Sequence, residues 1–95
     1  MAREIYVSID IEANGPIPGQ NSMLNFGAAA FDLRAENPLE PIAVFEENLF
    51  PLEDGVEDPD TMHWWSTQLE ALVYLQKDRQ SPAVVMPKFV QWLRS

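Results

Sequence analysis

Ile5-Tyr6-Val7-Ser8-Ile9-Asp10-Ile11-Glu12 decides the fold. Ile5, Val7, Ile9 and Ile11 alternate with Tyr6, Ser8, Asp10 and Glu12, a period of two with β-branched residues on one side, which predicts a strand. Ala13 to Asn21 follows with Asn14-Gly15-Pro16 and Pro18-Gly19, turn chemistry that ends the strand in a loop. A second strand is expected over Met23 to Leu33, bounded by Phe26 and Phe31 around a small-residue centre. Glu36-Asn37-Pro38 is a turn, and Ile42 to Phe50 reads as a third strand closed by Pro51. Short connections between three such strands give an antiparallel meander.

From Gly55 onward the pattern becomes helical. Asp58 caps a helix whose first residue is Pro59, where proline's missing N–H costs nothing, and Asp60 complements the dipole. Met62 and Trp65 should face inward from it. Thr67 and Glu70 have the spacing of a capping box, which predicts a second helix with Leu69, Leu72, Val73 and Gln76 on its inner stripe. Ser81-Pro82 is another cap-and-first-residue pair. Pro87 would break that helix's ladder, so either a kink or a start at Pro87 is expected, with Met86, Phe89, Val90 and Leu93 inward. The fold class is therefore α/β: residues 1–95 form part of one domain, a three-stranded antiparallel meander followed by helices.

Composition narrows the function. The 95 residues are 46% hydrophobic and 22% charged, which places the chain with folded globular domains and away from disordered or collagenous ones. The longest apolar run, Phe26 to Phe31, is far short of the roughly 20 residues that span a bilayer. No basic-then-apolar leader opens the chain, so neither a membrane nor a secretory location is expected and the cytoplasm is the default. Cysteine is absent, which excludes disulfides, thiolate zinc sites and cysteine nucleophiles. The net charge is -9, and Glu36 to Asp60 contains no base. Lys77, Arg79, Lys88 and Arg94 cluster near the C-terminus, the side from which a polyanion should approach.

The chemistry rests on Asp10 and Glu12. Two positions apart on a strand, both side chains share one face, about 6–7 Å apart along the backbone. Hard carboxylate oxygens suit Mg2+ or Mn2+, and two ions roughly 4 Å apart can share such a pair. A solvated strand face would show the same alternation.

Ser8 to Gly15, an apolar strand ending in Asp-Ile-Glu-x-x-Gly, resembles the first motif of the DEDD 3'-to-5' exonucleases of the ribonuclease-H-like superfamily, such as ribonuclease T and polymerase proofreading subunits. Met23 to Phe31 and Phe45 to Pro51 resemble the strands that follow in that family. Asp58 to Trp65 resembles the first helix of a subgroup with a double tryptophan. The resemblance implies a ribonuclease-H-like fold and a metal-dependent exonuclease that releases 5'-mononucleotides from the 3' end of single-stranded DNA or RNA. It assigns Asp10 to both ions and Glu12 to one, so these are the expected catalytic and metal-binding residues. Backbone N–H groups of Ala13 and Asn14 would face the terminal nucleotide, and Gly15 would let the loop turn away.

Met23 could wedge beside a terminal base or simply pack at the strand start. Trp64 could stack on a base or lie half-exposed beside an inward Trp65. His63 is expected to be a surface or half-buried residue and not the catalytic base. The family's two further aspartates and its histidine or tyrosine base have no counterparts in these 95 residues, which implies an incomplete domain, inactive as this chain alone. Such a domain would expose the far edge of its first strand and self-associate through it, as a homodimer for example. The alternative is a non-catalytic ribonuclease-H-like module that docks nucleic acid or protein through Trp64 and the basic C-terminal helix. A third possibility is an assembly role through the exposed strand edge.

Overall fold

A computed structural model describes residues 4–95. Its elements run β1 (Ile5–Ala13), β2 (Met23–Asp32), β3 (Ala43–Asn48), α1 (Pro59–Ser66), α2 (Leu69–Leu75) and α3 (Pro82–Leu93). The strands form one antiparallel sheet in the order β1-β2-β3. Among the described residues no helix is long and apolar enough to cross a membrane.

Register sorts the side chains onto two faces. Ile9, Ala28 and Phe45 lie in one row across the three strands, and Asp10, Gly27 and Glu46 lie in the next, so the two rows project oppositely. α3 covers the Ile9–Phe45 face. Phe26, Leu49 and Val85 are buried there, with Met23, Phe45, Met86 and Phe89 packed around them. Leu49 and Val85 lose all solvent contact, a burial that contributes about 1.5–3 kcal/mol each. The ring of Phe89 meets those of Phe26, Phe45 and Trp92 at centroid distances of 4.7, 5.6 and 5.8 Å, within the range where aromatic pairs add to simple burial. α1 and α2 cover the opposite face, around Leu24, Trp65 and Leu75.

One irregularity lets Leu24 reach that second cluster. Glu12 pairs with Asn25 and Ala13 pairs with Met23, so the ladder skips Leu24. This bulge breaks the strict alternation of β2. Met23 and Phe26 pack under α3, whereas Leu24 packs against Trp65 and Asn25 faces the α1/α2 side.

Coverage of the sheet is uneven. The radius of gyration is 15.6 Å, against about 12 Å for a spherical domain of this length. The open part of the sheet includes β1, an edge strand whose Ile5, Val7, Ile9 and Ile11 remain 42%, 38%, 52% and 47% exposed. These residues share the face that α3 covers over β2 and β3 but does not cover over β1.

The three strands, the Asp58 cap and the inward Met62 and Trp65 agree with the sequence reading. Three helical details differ. Thr67 starts no capping box; it is the C-cap of α1, its hydroxyl donates to the Trp64 carbonyl at 2.6 Å, and Gln68 occupies the N-cap of α2 without a side-chain bond. α2 starts one residue later than a Thr67 cap implies, and its inner stripe is Leu72 and Leu75, packed on Leu24 and Trp65, while Leu69 and Val73 are exposed. α3 begins at Pro82 and continues through Pro87, with Val85, Met86 and Phe89 inward and Val90 and Leu93 half-exposed. Pro87 and Ala83 both lie on the exposed side. A carbonyl that loses its donor on the exposed side of a helix costs less than one that loses it in a core.

Candidate active site

Asp10 and Glu12 project from β1 into one cleft between the sheet and the α1/α2 pair. The cleft has a volume of about 290 Å³ and is lined further by Asn25, Glu46, Trp64, Gln68 and Tyr74. That size suits one small ligand unit and not a duplex. Asp10 is exposed and Glu12 half-buried. The opposite wall is held by Tyr74, whose hydroxyl donates to the Glu46 carboxylate. That bond and the negative charge of Glu46 raise the Tyr74 pKa above its ordinary value. Gly27 lies between Asp10 and Glu46 in the register and puts no side chain between them.

α1 is fixed to the end of β1 by the indole of Trp65, whose Nε1 donates to the Ala13 carbonyl at 3.0 Å. This places Trp64, which is half-exposed, at the cleft mouth. Its ring meets that of Trp65 edge-on at 4.8 Å. The start of the helix is fixed independently. The Asp58 carboxylate accepts from the Thr61 backbone N–H at 3.0 Å and the Thr61 hydroxyl at 2.7 Å, bonds that lower its pKa below 3.8. The Asp58 N–H donates to the Asn14 carbonyl at 2.9 Å.

The loop after Glu12 is tightly bonded within the protein, and this corrects part of the expected substrate set. The Asn14 N–H donates to the Ser22 carbonyl at 3.0 Å and the Asn14 carboxamide accepts from the Ser22 N–H at 2.7 Å. With 2% of its surface exposed, Asn14 is a structural brace and its N–H is not free for a nucleotide. Gly15 serves close packing, since a Cβ there would collide with the Asn21 side chain. Asn21 in turn accepts from the Ile17 N–H and donates to the Val56 carbonyl, at 2.9 and 2.6 Å.

Met23 packs in the α3 cluster and lines a second, largely apolar cleft with Ile11, Ala13, Gly15 and Phe50. The structure thus brings Trp64 to Asp10 and Glu12 but places the cleft-lining surfaces of Ala13, Gly15 and Met23 elsewhere. The basic C-terminal segment is separated as well. α3, which bears Lys88 and is capped by Arg94, packs on the face opposite the acidic pair, so Trp64 and this helix do not form one docking surface.

His63 is exposed on α1. Among the described residues no group of three or more His, Cys, Asp or Glu is placed to hold a metal ion. Asp10 and Glu12 thus stand in the cleft as a carboxylate pair, without the further acidic or histidine side chains that would make such a group. Sequence reasoning passed over Asn25, Glu46 and Tyr74. Asn25 carried a usable signal, as a lone polar residue in the otherwise apolar run from Met23 to Phe31.

No family model matches the chain. Over 94 residues, 98% of its length, the chain is 36% identical to the 3'-5' DNA exonuclease Cap18 of Escherichia coli, and it spans 44% of that protein. The alignment takes in β1 with its two carboxylates and all three helices, and it supports an exonuclease-like relationship.

Proposed function

We propose that this chain carries the first carboxylate pair of a metal-dependent 3'-to-5' exonuclease site of the DEDD, ribonuclease-H-like type, acting on the 3' end of single-stranded DNA. The observation that carries the reading is the shared cleft of Asp10, Glu12 and Trp64, in a chain similar along its whole length to a DNA exonuclease. The donor set fits Mg2+ or Mn2+, because every charged side chain from β1 in the cleft offers carboxylate oxygen. A divalent ion bound there would activate water for phosphodiester hydrolysis and stabilise the leaving 3' oxygen.

Asp10 and Glu12 would hold the ion from the strand side, and Trp64 would give the terminal base a face to stack on. Tyr74 and Glu46 form the far wall. With a net charge of -9, the protein repels a phosphate backbone unless the acidic pair is neutralised, so DNA binding should depend on the metal. Two carboxylates are too few for the full reaction. The chain alone should bind the ion and the DNA end without turning the substrate over.

The test is Mn2+ titration by calorimetry, followed by fluorescence anisotropy of a labelled single strand with and without the ion. Saturable Mn2+ binding that Asp10→Asn abolishes, with metal-dependent DNA binding, supports the reading. Metal-independent DNA binding unaffected by that substitution would favour a non-catalytic module instead.

A further inference from the structure

β1 is the open edge of the sheet. Among the described residues it pairs with β2 alone, whereas the opposite edge is partly closed where β3 ends: the Gln80 N–H donates to the Asn48 carbonyl and the Phe50 N–H to the Gln80 carbonyl, both at 3.0 Å. An open edge is a template for another strand unless a proline, a lysine or a bulge blocks it. Ile5 to Glu12 contains no proline and no lysine, and the irregularity in the ladder falls after Glu12. The edge is therefore able to pair along its length.

The sequence of β1 fits a second copy of itself in one register. Two copies laid antiparallel are related by a twofold axis, and a slip of one residue would set the polar face of one against the apolar face of the other, so the allowed registers are two residues apart. With the axis at Ile9, the midpoint of the nine-residue strand, all of β1 is matched. Ile9 meets the partner's Ile9, Val7 meets the partner's Ile11, and Ile5 meets the partner's Ala13, which carries the uncovered apolar row across both copies. On the other face Asp10 meets the partner's Ser8 and Glu12 meets the partner's Tyr6. Each carboxylate thus lies opposite a hydroxyl, a group from which it accepts. Tyr6 is 53% exposed, and its hydroxyl donates to Glu4 at a long 3.3 Å, a bond readily exchanged.

The neighbouring registers fail on charge. A slip of two residues one way sets Glu12 against the partner's Glu4, and the other way sets Asp10 against the partner's Asp10. Like charges directly opposite are destabilising. About Ile9 the acidic side chains of the two copies are diagonal neighbours at closest, about 7–8 Å apart.

We propose that two copies of this chain pair antiparallel through β1 about Ile9, doubling the three-stranded sheet, and that the partner's Tyr6 and the partner's Ser8 thereby flank the acidic pair of each cleft. Pairing does not depend on what those carboxylates bind.

The chain has no cysteine, so disulfide trapping reads the register directly. Val7→Cys, Ile9→Cys and Ile11→Cys are made singly in the full chain, at positions that are all exposed. Each is oxidised alone, and Val7→Cys is also oxidised mixed with Ile11→Cys. Ile9→Cys should form a linked dimer by itself, and the mixture should cross-link as well. Val7→Cys or Ile11→Cys alone should do so at least about tenfold more slowly, because about 13 Å of strand separates each position from its own copy, beyond the roughly 7 Å that a disulfide bridges. Sedimentation velocity of the unsubstituted protein, which requires no variant to fold, should show a dimer. Rapid cross-linking of Val7→Cys or Ile11→Cys alone, or a dimer in which Ile9→Cys does not cross-link, overturns the register. A parent chain that stays monomeric as its concentration rises overturns the pairing and leaves the edge to a strand from another polypeptide.

Discussion

The indole N–H of Trp65 donates to the carbonyl of Ala13, the residue next to Glu12, across 52 positions of sequence. One bond therefore sets the depth of α1 against the acidic strand. Removing it should affect both stability and the cleft. Trp65→Phe keeps an aromatic ring in the Leu24–Leu75 cluster but leaves the Ala13 carbonyl without its donor, at a cost of about 1–2 kcal/mol. Thermal unfolding should register this as a melting temperature lower by roughly 5–10 °C, and Mn2+ affinity should fall with it.

Trp64 offers the contrasting case. Half-exposed, it supports little of the core. Trp64→Ala should leave the melting temperature within a few degrees of the parent and weaken metal-dependent binding of a single-stranded oligonucleotide by about tenfold, the effect of losing one stacked base. Anisotropy titrations of the two variants side by side separate positioning from contact.

Asp58 makes the cap of α1 sensitive to pH. Its folded pKa lies below the ordinary 3.8 because the Thr61 hydroxyl and N–H bond the carboxylate. The folded state thus binds fewer protons than the unfolded one in that range. The contribution is fully present above pH 3.8 and is lost as the pH falls through the lower folded value. The melting-temperature gap between the parent and Asp58→Ala should be open at pH 7 and should narrow as the pH drops below 3.8, a trend that scanning calorimetry across pH will show.

The uncovered row on β1 predicts association. Val7, Ile9 and Ile11 stand beside a strand edge with no partner among the described residues, an arrangement that recruits a second strand. Sedimentation velocity should show the parent chain associating as its concentration rises. Ile9→Lys, which places a charge in the middle of the row, should keep it monomeric.

The strands were legible because their alternation is local. Ile5 to Glu12 announces both its conformation and its two faces within eight residues, and the cap at Asp58-Pro59 is equally self-contained. The misread details all depend on what lies across from them. Thr67 and Glu70 have capping-box spacing, but the turn of α1 uses Thr67 first. Pro87 reads as a breaker, yet α3 runs through it with the proline on its exposed side. In the candidate site, the co-facial placement of Asp10 and Glu12 followed from period two. The engagement of Asn14 with Ser22, and the orientation of Asn25, are long-range facts that no spacing encodes.

The bulge beside Glu12 gives the α1/α2 side one apolar residue more than a regular strand would supply. Because Ala13 pairs with Met23 and Glu12 with Asn25, removing Leu24 would leave an unbroken ladder in which Met23 and Asn25 keep their faces. What would go is the side chain that meets Trp65 and Leu75, and with it the packing that holds α1 against the strand bearing the carboxylates. Descendants of this sequence are therefore bound to keep a large apolar side chain at position 24, although the strands themselves would pair without it.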